Sequence, residues 1–246
     1  MIYLKKFSTK ENYLNYRDGK DYQKPNLSLC KGNDTVYYGL NANGHPYVDL
    51  GFPSGTLWAT MNVGASKPSD YGKYFQWGDI QGYTKEEIEA DDGQKKFEDG
   101  SIVYKWGWFP FTKYSTLGAT LELEDDAANF NMGGSWHMPT PEQIRELINT
   151  ANTTTSWTTS DDGVNGVTFT STNGKSIFIP AAGGAWKSSV NALGENGFLW
   201  SYILDTDIFS SGYGIDCAYG LDFGSDYVNI DDGTRCDWFS VRGVIG

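Results

Sequence analysis

The sequence predicts an α+β protein made mostly of short antiparallel strands and long loops, with one or two helices. Glycine is abundant, 30 of 246 residues, against a usual share of about 7%. Aromatic residues make up 15% of the chain and nine of them are Trp, so large rings must anchor an irregular core. Short strand-like runs recur between turn residues, while only one helical stripe is clear. The length suits one large domain or two small ones with a proper core.

Residues 1–45 read as a separate unit. Ser8-Thr9-Lys10-Glu11 has the capping-box form and predicts a helix that runs to about Arg17 and stops at Gly19. After Pro25, Leu27 to Cys30 is strand-like, Gly32-Asn33-Asp34 is a turn, and Thr35-Val36-Tyr37-Tyr38 returns. A helix and a hairpin are too little for a firm core, so this unit is expected to lean on the rest of the chain or on a partner.

Residues 46–246 read as one mostly β domain. Strands are expected at Tyr47–Leu50, Leu57–Asn62, Tyr74–Trp77, Gly166–Thr170, Ser176–Pro180, Tyr219–Phe223 and Val228–Ile230. A helix begins at Thr140-Pro141-Glu142-Gln143, with Thr as the cap and Pro at the first helical position. Ile144, Leu147, Ile148 and Ala151 then form one buried stripe. A shorter helix is expected around Glu124–Phe130, and residues 82–100, rich in Lys, Asp and Glu, as a solvated excursion.

The charge balance is 19 Lys plus Arg against 31 Asp plus Glu, a net charge of −12. Nucleic acid is therefore not an expected partner, because neutralising phosphates requires a basic face. Residues 1–45 carry seven bases and four acids, so the acidity belongs to the remainder. The longest apolar stretch, Ile177 to Ala182, is far too short to span a membrane, and membrane insertion is not expected. Met1-Ile2-Tyr3-Leu4-Lys5-Lys6 turns polar too early for a signal peptide, which implies a protein made and kept in a cytoplasm unless another route exports it. Three cysteines without a C-x-x-C do not suggest a disulfide framework or a zinc site.

Several stretches resemble a family. Tyr47-Val48-Asp49-Leu50-Gly51-Phe52-Pro53-Ser54-Gly55-Thr56-Leu57-Trp58-Ala59-Thr60 is similar to the opening of a domain abundant in gut Bacteroidetes and their phages. Asp70-Tyr71-Gly72-Lys73-Tyr74-Phe75-Gln76-Trp77-Gly78, Gly133-Gly134-Ser135-Trp136-His137-Met138-Pro139-Thr140, Ile179-Pro180-Ala181-Ala182-Gly183 and Phe239-Ser240-Val241-Arg242 continue the resemblance. It is to the C-type-lectin-like fold, in the branch that also holds the formylglycine-generating enzymes. Pro25-Asn26-Leu27-Ser28-Leu29-Cys30 with Val36-Tyr37-Tyr38 resembles the short leader of Bacteroides phage virion proteins. That implies attachment to a particle through residues 1–45.

Between Trp200 and Trp238 lie 37 residues without a Lys, Glu, Gln, Met or Trp, types that make up about one residue in five elsewhere. The same window holds eight Asp and, as its only base, Arg235. Members of this fold serve as variable proteins of diversity-generating retroelements, which randomise template adenines. Asn codons of the form AAC become NNC, and NNC cannot encode the five missing types. Trp238 cannot come from NNC, so that position is either a fixed difference or a sign that diversification is incomplete; Gly243 replaces a usual Pro.

Within the window, alternation sends Val228 and Ile230 to the core and Tyr227, Asn229 and Asp231 outward, and marks Tyr219, Leu221 and Phe223 as core. Family matching makes Trp200, Ser201, Leu221, Phe223, Val228, Arg235, Ser240, Val241 and Arg242 scaffold. The remaining positions are the expected ligand-contacting set: Tyr202, Ile203, Asp205, Asp207, Phe209, Tyr213, Asp216, Cys217, Gly224, Ser225, Asp226, Tyr227, Asn229, Asp231, Asp232, Thr234, Cys236 and Asp237. Tyr and Phe supply rigid contact area, while Asp, Ser and Asn supply adaptable hydrogen bonds. Solvent-exposed loops with no partner are the alternative reading.

No catalytic residues are expected. Gly183-Gly184-Ala185-Trp186 echoes the related oxidases, but Cys217 and Cys236 do not fall in their copper-binding cysteine motif. No cofactor is expected, with a structural calcium ion left open by Asp205-Thr206-Asp207 and Asp231-Asp232. The EF-hand pattern fails, and the sugar-binding triplets of calcium-dependent lectins are absent. His45 is expected to be solvated in a turn and His137 to be structural. Together these readings imply a non-catalytic protein displayed on a virion that recognises a host bacterial surface protein or glycan. Fibre-like virion proteins are often trimers, so a homotrimer is among the expected assemblies. A bacterial cell-surface or structural paralogue without diversification is the alternative, and a degenerate oxidase the remote one.

Overall fold

The computed structural model describes residues 27–32, 35–90, 104–107, 111–186, 189–206 and 215–246, with side chains from Ala42 onward. The helix expected after Ser8 lies outside them. The architecture is α+β and dominated by β-strands. β1 (Leu27–Gly32) and β2 (Thr35–Ala42) form the expected antiparallel hairpin. Asn43 and Gly44 at φ 50° and 85° then turn β2 into β3 (His45–Asp49), which suits the preference of tight hairpin turns for Asn-Gly. With β4 (Leu57–Ala59) and β15 (Val244–Ile245) they make a five-stranded sheet in the order β1-β2-β3-β4-β15. The end of β2 meets the main body, where Trp136 Nε1 donates to the Ala42 carbonyl at 2.9 Å.

A second five-stranded sheet has the order β13-β12-β11-β14-β5. It comprises β5 (Tyr74–Phe75), β11 (Gly197–Leu204), β12 (Cys217–Phe223), β13 (Val228–Thr234) and β14 (Phe239–Ser240). β6 (Thr153–Thr159), β7 (Asn165–Ser171) and β8 (Ser176–Pro180) form a three-stranded sheet, and β9 (Gly184–Trp186) with β10 (Ser189–Asn191) a ribbon.

Helix α1 (Lys85–Ala90) lies in the acidic stretch expected to be solvated, yet it buries Ile88 completely beside Tyr74 and Trp238. One apolar residue on a charged helix is enough to dock it. A 3-10 turn (Leu123–Asp125) leads to α2 (Ala127–Met132), capped by the Asp126 carboxylate on the Asn129 amide. α3 (Pro141–Ile148) has the full capping box of Thr140 and Gln143 and buries Ile144 and Leu147. It stops at Asn149, so Ala151 falls in the following turn and is exposed.

β11 divides the core. Leu199 belongs with Leu221 and Phe223 to a cluster over α3 and the β6–β8 sheet. Trp200 and Leu204 belong to a second cluster around Trp77, Trp136 and Val241. Among the described residues, no helix is long and apolar enough to cross a membrane.

Candidate functional site on the C-terminal ribbon

β12 and β13 are in register from Cys217 opposite Thr234 to Phe223 opposite Val228. Side chains of facing pairs share a face. Leu221 with Ile230 and Phe223 with Val228 therefore point together into the core, while Asp222 with Asn229 share the other face. Asp231, opposite Gly220, lies on that same outward face. Asn229 and Asp231 are exposed, as alternation predicts, and Val228 and Ile230 pack partly against the core.

The expected contact residues divide by placement. Ser225, Asp226, Asn229 and Asp231 are exposed, and Tyr202, Ile203, Asp216, Tyr227, Asp232, Thr234, Cys236 and Asp237 are half-buried. Asp205 and Cys217 are buried, as is Gly224, so these three present no accessible side chain to a ligand. Asp205 follows β11 with the parity of Leu199, which the two-residue shift in β11–β12 register between Trp200 and Leu204 preserves, and its amide donates to the Cys217 carbonyl at 3.0 Å. Asp207, Phe209 and Tyr213 lie outside the described residues.

Two further expectations are corrected. Tyr219 is half-buried, not core, and its hydroxyl bonds Thr206 Oγ1 at 2.8 Å. The Arg145 guanidinium sits 6.0 Å from its ring. His45 lies half-buried in β3, edge-on to Trp136, and burial lowers its pKa.

The scaffold positions are sealed. Arg235 is fully buried and donates to the carbonyls of Lys113, Tyr114 and Ile215 and to the Tyr104 hydroxyl. Its guanidinium stacks over Phe111, Trp77 and Tyr104. Arg242 is equally buried on Asn62 Oδ1 and the Ala59 and Phe178 carbonyls. Burial lowers its pKa to about 9, so it stays charged near neutrality.

Electrostatics distinguish the outer face. Burial and the neighbouring Asp231 carboxylate push the Asp222 carboxyl up, although the Tyr227 hydroxyl donates to it at 3.0 Å. Asn196 Nδ2 donates in turn to the Tyr227 hydroxyl at 2.7 Å. Asp232 is raised by burial and by Asp205 and Asp231, against a hydrogen bond from Cys217. Sequence reasoning missed Asp222, Asn196 and the ring surface of Phe198 and Phe239, because Asp222 sits between two core residues and the others flank the window.

The acidic group that could best bracket a metal ion lies elsewhere: Glu122, Glu124 and Asp125 offer carboxylate oxygens within 4.8 Å of one another. Lys113 Nζ already sits among them, 2.6 Å from Glu122 and 2.7 Å from Asp125, and Lys105 is also 2.7 Å from Asp125. Burial raises Asp125, but the bonds from Lys105, Lys113 and Tyr114 outweigh it and hold the carboxyl low. This is an ion-pair network that carries its own cations. A cavity of about 270 Å³ opens between β3, the loop after β4 and α2, lined by His45, Met61, Asn62 and Met132 among others, and none of the expected contact residues reaches it.

No protein-family model, no curated protein and no solved structure matches this chain.

Proposed function

We propose that the chain is a non-catalytic binding protein with a C-type-lectin-like scaffold, displayed on a phage particle, that contacts a host-surface protein or glycan through residues 201–237. The observation that carries this reading is the division of labour in that window. Positions assigned to scaffold by the resemblance, such as Ser201, Leu221, Phe223 and Arg235, are buried. Asn229, Asp231, Ser225 and Asp226 face solvent. The five residue types that NNC codons cannot supply are missing from the same stretch. Trp238, just past its end, is buried against Tyr83, which favours a fixed core difference over a failed randomisation.

Diversification is tested in the DNA. An adjacent near-copy of codons 201–237 that differs only at adenines, beside a reverse transcriptase gene, is the expected finding. Absence of any such copy overturns it and leaves the undiversified paralogue. Anchoring is tested by deleting residues 1–26, which spares the β1–β2 hairpin; incorporation into particles should fall, and unchanged incorporation refutes the role. The oxidase alternative draws no support from the Cys236 thiol. Burial and the neighbouring Asp237 push Cys236 up to about 12, the opposite of a reactive thiolate.

A further inference from the structure

Phe239 packs against the second core cluster on the face of the second sheet that also carries Asp222 and Asp231. Its ring stacks on Trp200 with centroids 4.2 Å apart and on Phe198 at 4.8 Å. Glycines make room for it: a Cβ on Gly233 would come within 2.3 Å of the ring, and one on Gly184 within 3.0 Å. Trp200 is fully buried, whereas Phe198 and Phe239 keep part of their surface exposed. Phe198 pairs with Asp222 across β11 and β12, and Asp231 shares that face. Trp186, 63% exposed, falls on the same side of β9 as Gly184 by strand alternation. The exposed part of the Phe198 ring is thus bordered by the Asp222 carboxylate, with Asp231 on the same face. Among the described residues, no ion pair reaches Asp222, Asp226 or Asp231, and Arg235 and Arg242 are committed to carbonyl and side-chain oxygens in the interior.

We infer that this face receives an arginine side chain of a partner protein. The inference rests on the binding role proposed above and names the chemistry of the partner. A guanidinium is planar, so it can lie on an exposed ring and still direct its fork at a carboxylate. The negative faces of the rings and the Asp charges then act on the same group. A lysine ammonium gains the charge attraction without the stacking, and an anionic partner is repelled. The protein already stabilises one guanidinium by stacking: Arg235 lies 4.1 Å from the Phe111 centroid and 5.1 Å from those of Trp77 and Tyr104.

The test titrates the full chain with hexa-arginine, hexa-lysine and hexa-glutamine peptides by calorimetry at 0.15 M salt, where nonspecific attraction between exposed charges is screened. Hexa-arginine should bind at least about threefold more tightly than hexa-lysine, with hexa-glutamine undetected. Phe198→Leu and Asp231→Asn should each weaken hexa-arginine about three- to tenfold, while Asp161→Asn, on the β6–β7 turn, should not. Asp231 is exposed, so its variant keeps the test valid even if Phe198→Leu fails to fold. Equal affinity for the two cationic peptides, or an Asp231→Asn variant that binds like the parent, overturns the inference. Binding of the labelled protein to Bacteroides cells separates the two levels. Cell binding without arginine preference sinks only this inference, whereas arginine preference without cell binding sinks the host-contact role.

Discussion

On its inner face the β12–β13 ribbon sets Leu221 against Ile230 and Phe223 against Val228, whereas on its outer face Asp222 stands opposite Asn229 and Asp231 opposite a glycine. The inner residues touch α3 and the β6–β8 sheet and are fixed by volume. On the outer face Asp222, Asn229 and Asp231 meet solvent and one another's charge, while Ala218 and Gly233 pack on the second core cluster. One backbone therefore serves two independent requirements. The inner face sets the shape, and the outer face can change its chemistry without disturbing that shape. The dependence of the ribbon on buried anchors at its end, above all Arg235, is what keeps this independence intact.

Removing that anchor should have the largest effect. Arg235→Leu leaves three carbonyls and the Tyr104 hydroxyl without their donor in a closed, aromatic-lined space. Unpaired buried acceptors cost about 1–3 kcal/mol each before relaxation. We expect a loss of about 4 kcal/mol in urea unfolding. A variant with unchanged stability would show that the ribbon holds without its anchor.

A smaller effect probes the border between the faces. Gly233→Ala drives a methyl into Phe239, whose ring is already held between Phe198 and Trp200 and cannot swing away. A cost of about 2 kcal/mol is expected, read as a lower urea midpoint with an unchanged slope.

Asp237 supplies the pH dependence. Burial raises its carboxyl to about 6. An acid whose folded pKa lies above its unfolded value stabilises the fold fully below the unfolded value of about 4. That contribution is lost as pH rises through about 6. The protein should therefore lose about 1–2 kcal/mol between pH 4 and pH 7 from this group, and Asp237→Asn should remove that part of the slope. A variant whose urea midpoint follows pH as the parent does would rule Asp237 out as its source.

How far these faces were legible in the sequence depended on what patterned each segment. Thr140-Pro141-Glu142-Gln143 announces α3 because capping is a local matter. Its end was misplaced, since the turn at Asn149 and the burial of Thr153 on the Leu147 carbonyl are set by the strand that follows. β13 was legible because one face is wet. β11 was not, because Leu199 and Trp200 are buried on opposite sides and leave no alternation to read. β6 escaped for the opposite reason, being Thr-rich and largely exposed. Within residues 201–237 the outward placement of Asn229 and Asp231 followed from alternation. The burial of Asp205 did not, because it lies just past β11, whose burial on both sides leaves no alternation to read.

The smallest effect is the sharpest test of the comparison. Asn229 is exposed and faces only Asp222 across the ribbon. Replacing it by Ser, Tyr, Asp or Ile, residues that NNC codons can encode, should leave stability within about 0.5 kcal/mol of the parent. Asn229→Asp should sit at the unfavourable end, because it adds a third carboxylate beside Asp222 and Asp231 and like charges opposed across strands repel. That difference should shrink as salt is raised. If instead the four variants scatter by as much as Gly233→Ala, the outer face is bound into the packing of the inner one, and the ribbon could not carry a changing surface on a constant frame.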